Sequence, residues 1–148
     1  MHGELRARVA RFLDDLRAAE AASAEVLSAW IAVCEHDELR GGLRVIAERE
    51  AGHAELLAER LRELGWPCTA ALATSTLAAA VARFGSAVVA DEEKLDAVLA
   101  RYPDDADATR PIFHLAEELE QDPETREALR LIADGEGATF AWLRAYRG

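Results

Sequence analysis

A chain of 148 residues is the size of one domain with its own core. Its 51% apolar and 30% charged residues rule out a disordered segment. The 17 basic and 28 acidic residues leave a net charge of −11, which argues against nucleic acid or an anionic membrane as partner. No apolar run approaches the roughly 20 residues of a membrane span. The first residues, MHGELRARVARFLDD, are charged and amphipathic and lack a signal-peptide core, so a cytoplasmic protein is expected.

Few prolines and abundant Ala, Leu, Arg and Glu point to helix throughout. Four segments carry apolar residues in a 3-4 alternation. The first stripe runs Leu5, Val9, Phe12, Leu16, Ala19, Ser23, Val26, Trp30 and Val33. The second runs Leu39, Leu43, Ile46, Glu50, His53, Leu57 and Leu64, with Asp37 as the expected N-cap and Gly65-Trp66-Pro67 as the stop. The third runs Leu77, Val81, Phe84, Val88, Asp91, Leu95 and Val98, opening at Thr74 or Ser75 and ending near Tyr102-Pro103. A short extra helix is expected from about Pro111 to Gln121, capped by Thr109. The fourth long helix starts at Asp122-Pro123 and runs Leu129, Ile132, Glu136, Thr139, Leu143 and Tyr146. The expectation is one all-α domain over residues 1–148, an antiparallel four-helix bundle with a short helix between helices three and four. Residues 43–57, LRVIAEREAGHAELL, also lie without a gap over residues 129–143, LRLIADGEGATFAWL, as duplication of a hairpin would leave them. Cys34 and Cys68 are too few for a disulfide framework and fall at opposite ends of the second helix, so both are expected to be reduced.

Polar residues interrupt the stripes. Glu50 and His53 form Glu-x-x-His, a carboxylate and an imidazole on one helix face. Glu136 repeats the break in the last helix, with Thr139 where a second His would fall. The third helix breaks at Asp91, beside Glu92, and Glu20 lies next to the first stripe. Counting from the helix ends places all four breaks within about one turn of a common plane. Several bare carboxylates in a dry core need neutralising, because each unpaired buried charge costs several kcal/mol. Carboxylates with one imidazole suit iron or manganese.

In helix order and site spacing the chain resembles the ferritin-like superfamily, and most of all its rubrerythrin (erythrin-type) di-iron carboxylate branch. The resemblance implies a metal site of Glu20, Glu50, His53, Asp91 or Glu92, and Glu136, degenerate because Thr139 replaces the second imidazole. It implies one or two iron ions, or manganese, and redox activity: ferrous oxidation, or a reaction with a small-molecule oxidant such as peroxide or dioxygen. It also implies a homodimer. No Cys-x-x-Cys pairs follow, so the electron-delivering module of full rubrerythrins is missing from this sequence. The alternative is a catalytically inactive ferritin-like bundle acting as a binding or scaffold protein.

Overall fold

The computed structural model describes residues 2–148, which form helices joined by turns and loops with no strand among them. The helices are α1 (Gly3–Val33), α2 (Asp37–Glu63), α3 (Thr74–Phe84), α4 (Asp91–Ala100), α5 (Asp105–Glu117) and α6 (Pro123–Arg147). They fall into two compact units. Residues 2–91 hold α1 to α3, and residues 92–148 hold most of α4 with α5 and α6. No helix among the described residues is long and apolar enough to cross a membrane.

In the N-terminal unit, α1 and α2 form an antiparallel hairpin across the short turn at Cys34–His36. At its open end the Arg6 guanidinium donates to the Leu64 carbonyl at 3.0 Å. Val9, Leu13, Leu27 and Trp30 of α1 are buried, as are Leu39, Leu43, Ile46, Leu57 and Leu61 of α2. Each such side chain contributes about 1.5–3 kcal/mol on leaving water. The second helix stops where its sequence says. Leu64 caps it, Gly65 adopts a left-handed φ of 79°, and the Trp66 amide returns to the Leu61 carbonyl at 2.9 Å.

The loop that leaves α2 is clamped by a buried carboxylate. Asp14 accepts from the amides of Thr69 and Ala70 at 3.0 and 2.8 Å, and from the Arg17 guanidinium at 2.8 and 2.9 Å. Arg17 also donates to the Ala70 carbonyl at 2.7 Å. Helix α3 then lies on the surface with no buried residue of its own, its Phe84 ring tilted against Trp30 at 5.5 Å.

The expected continuous third helix is thus two helices, broken between Gly85 and Ala90. A Cβ at Gly85 would stand 2.8 Å from the Val81 carbonyl oxygen and 3.4 Å from Ala29, a close approach that only glycine permits. Ser86 Oγ then accepts the Val88 amide at 3.2 Å, and Val88 projects outward, 94% exposed, instead of extending an apolar stripe.

In the C-terminal unit, α5 begins at Asp105 and not near Pro111. Asp104 accepts the Ala106 amide at 3.0 Å, and Asp105 and Asp107 sit in the first turn, where the helix dipole favours negative charge. Thr109 is no cap; it is buried inside the helix, and Pro111 is exposed. The start of α6 is as expected, with Asp122 accepting the Thr125 amide at 3.1 Å and Pro123 in first position. Helices α5 and α6 run antiparallel. Arg144 meets Asp105 at 2.8 Å, while a Cβ on Gly137 would touch Thr109 at 3.9 Å.

The internal repeat is visible in burial. Leu43 and Leu129, Ile46 and Ile132, Ala47 and Ala133, and Leu57 and Leu143 are all buried, while Val45 and Leu131 are both exposed.

Burial pushes the Asp14 carboxyl up, but the Thr69 and Ala70 amides and Arg17 outweigh it and hold its pKa below the ordinary value. A depressed folded pKa means that the clamp contributes fully above about pH 4 and is lost as pH falls through the folded value. Asp14→Asn is therefore expected to cost about 1–3 kcal/mol at neutral pH. Thermal melts of both proteins should converge as the pH is lowered below about 4.

Candidate metal centre

The α1–α2 interface changes character along its length. Large aliphatic and aromatic side chains fill both ends: Leu13 and Leu27 flank the middle on α1, Ile46 and Leu57 on α2. Between them α1 offers Ala18, Glu20 and Ala22, and α2 offers Ala47, Glu50 and His53. The small residues leave room for the polar ones. Glu20 and Glu50 are 5% and 6% exposed, and the His53 side chain is 13% exposed. Glu20 Oε2 stands 3.5 Å from His53 Nδ1 across the two helices. That spacing is in ion-pair range but longer than the roughly 2.7–3.2 Å of a good hydrogen bond.

Two carboxyl groups and one imidazole stand in this largely apolar stretch of the hairpin, and any ionised form of the acids there needs an answering charge. The imidazole can answer it as a cation, or as a neutral ligand that shares a metal ion with the carboxylates. Counting residues from the turn was enough to set Glu20 opposite His53.

Asp91 is elsewhere. It opens α4 at the turn end of the hairpin, where its carboxylate accepts from Trp30 Nε1 at 2.8 Å and from the Glu35 amide at 3.1 Å. His36 Nδ1 lies 2.8 Å from Asp91 Oδ2, and the Cys34 thiol 3.7 Å from it. Trp30 is ten residues beyond Glu20, about 15 Å along the helix. The expectation that Asp91 lies level with Glu50 fails because it counted along a third helix that the break at Gly85 interrupts. Burial raises the Asp91 carboxyl, but the Trp30 indole, the Glu35 amide and His36 together hold its pKa below the ordinary range. The carboxylate is therefore ionised at neutral pH, and the facing His36 Nδ1 carries a proton.

Glu92, the alternative ligand at this height, is exposed and its charge acts on Arg147 of its own unit. Asp91 is thus committed to the turn. Glu136 and Thr139 lie on the middle of α6, Glu136 half-buried and Thr139 buried, with Ile132 and Leu143 filling the helix to either side.

Three residues carry more than their sequence context signals. Asp14 sits beside Asp15, so nothing local marks it as the clamp of a loop 55 residues away. Cys34 is buried as expected of a small hydrophobe, yet its thiol also touches Asp91 and the His36 carbonyl. Lys94, the single lysine, is 1% exposed; helical spacing from Asp91 to Lys94 and Leu95 was the available sign that it faces inward.

Comparison with known protein families, with curated proteins and with solved structures finds no match to this chain.

Burial raises the pKa of the Cys34 thiol, and the neighbouring Asp91 raises it further against the pull of the His36 backbone and Arg40. Thiol titration with a chromogenic disulfide should therefore show exposed Cys68 reacting quickly and Cys34 slowly. Asp91→Ala removes the acceptor of four donors, the Trp30 indole, the Glu35 amide, His36 Nδ1 and the Cys34 thiol. It should lower stability by about 2–4 kcal/mol and speed the Cys34 phase, which an unchanged Cys34 rate would contradict.

Proposed function

We propose that this protein is a ferritin-like metal-binding protein whose Glu20, Glu50 and His53 hold iron or manganese inside the α1–α2 hairpin. The observation that carries this reading is the inward-facing Glu20–His53 pair at 3.5 Å, with Glu50 buried in the same stretch. The donor set fits such an ion. Ligand bonds of roughly 2.1 Å place two ligand atoms of one metal about 3.0–3.5 Å apart, and carboxylate with imidazole suits divalent iron or manganese.

A bound metal of this kind would supply redox chemistry toward dioxygen or peroxide, or ferrous oxidation. The chain's own contribution is positional. Glu20 and Glu50 supply negative charge from two helices, and His53 one nitrogen. The aliphatic blocks on either side keep bulk water from competing for the ion. The ferritin-like resemblance adds Glu136 to the ligand set, and a Glu136→Ala variant tests that addition separately.

A second reading, a helical binding or scaffold protein without redox catalysis, is favoured by two observations. Asp91 is engaged at the turn, and a threonine occupies position 139.

Metal analysis of protein grown with iron or with manganese separates the two. The metal reading expects bound metal in the full chain, lost in Glu50→Ala and His53→Ala and retained in Glu92→Ala. Added Fe(II) or Mn(II) at about one hundred times Kd should raise the melting temperature by roughly 5–10 °C. Metal-free protein with an unchanged melt would leave the scaffold reading standing.

A further inference from the structure

Helix α2 carries a second feature on its outer side. Gly41, Val45, Gly52 and Leu56 follow one another at intervals of four, seven and four residues and so lie on one strip of the helix. Val45 is 57% exposed and Leu56 40% exposed, among the large apolar side chains most open to solvent. Gly41 and Gly52 are exposed as well, and a Cβ at either would meet nothing within 4 Å. No contact among the described residues asks for glycine there, although glycine weakens a helix. Glycines alternating with exposed aliphatic residues permit close approach by another helix.

One shoulder of the strip holds Asp37, Arg44, Glu55 and Arg62. If a second α2 packs antiparallel about a point between Arg49 and Glu50, Arg44 comes opposite Glu55 and Asp37 opposite Arg62, each pair occurring twice by symmetry. In the same register Val45 drops between Gly52 and Leu56 of the other copy, and Leu56 between Gly41 and Val45. Arg44 and Glu55 are exposed and make no hydrogen bond or ion pair among the described residues. Asp37 is 96% exposed and bonded only to Arg40 of its own turn, while Arg62 is 73% exposed.

The repeat supplies a contrast. On α6 the matching positions are Glu127 for Gly41, Leu131 for Val45, Ala138 for Gly52, Trp142 for Leu56 and Ala141 for Glu55. There a charge interrupts the strip and the complementary pair is lost.

We infer that the outer face of α2 is a self-association surface, taking the same face of a second copy in antiparallel register. This goes beyond the metal reading and stands without it, because Glu50 and His53 lie on other sides of the helix.

Sedimentation velocity of the full chain over a concentration series tests it, with circular dichroism as the check on folding. A dimer is expected. Arg44→Glu alone, and Glu55→Arg alone, should each weaken it about tenfold, the double exchange should restore it, and Gly52→Arg should abolish it. The inference is overturned by a chain that stays monomeric, by a dimer indifferent to Arg44→Glu and Gly52→Arg, or by one lost on Leu131→Glu instead.

Discussion

Burial of polar side chains inside the α1–α2 hairpin is the constraint around which the N-terminal unit is arranged. Glu20, Glu50 and His53 occupy the middle of an interface whose ends are largely apolar, and a carboxylate buried there in ionised form without compensation would cost several kcal/mol. The offset lies at the two ends of the hairpin. Val9, Leu13, Leu57 and Leu61 close one end, and Leu27, Trp30, Leu39 and Leu43 the other. With helices this long, the ends hold the geometry and the middle can carry polar residues. A shorter hairpin would have to spend the same positions on packing.

The turn end is secured by a different use of buried charge. Asp91 gathers donors from Trp30, Glu35 and His36, so its charge is spread over several hydrogen bonds. Glu20 and Asp91 are both buried acids, yet one faces an imidazole across a helix pair and the other is fully engaged by a turn. Asp14 belongs with Asp91, because its amide donors come from the Thr69–Ala70 loop. Burial of an acid therefore does not mark a metal ligand; the neighbours decide.

That distinction sets what could be read from the sequence. The bounds of α1, α2 and α6 followed to within a residue from 3-4 periodicity together with Gly65, Asp122 and Pro123, all local signals. His36 and not Asp37 stands at the N-cap of α2, however, and Asp37 sits in the first turn. Glu50 and His53 stood out because they interrupt an aliphatic stripe one turn apart, and Glu20 followed by counting back from a tight turn. The third helix misled because Leu77, Val81, Phe84, Val88 and Leu95 keep helical spacing straight through the break. The break comes from contacts 61 and 55 residues away in sequence, to Trp30 and His36, and from the crowding at Gly85. Periodicity carries no trace of either. The early start of α5 was hidden for a simpler reason: Pro111 looked like a first position, when Asp104 with the two acids after it had already capped the helix.

The repeat between residues 43–57 and 129–143 ties these threads together through its differences. Both copies keep the buried aliphatic frame and the central glutamate, Glu50 and Glu136. Only the first keeps the imidazole, and only the first has glycine where the second has Glu127 and Ala138. The Glu-x-x-His pair and the open outer strip are thus both features of α2. On that helix Glu50 and Val45 are five residues apart, about 140° around the axis. The two features can then change independently, because a side chain on the outer strip does not reach the interior of the hairpin. Under the two proposals, substitutions at Gly41, Val45, Gly52 or Leu56 act on association alone, and those at Glu20, Glu50 or His53 on metal binding alone.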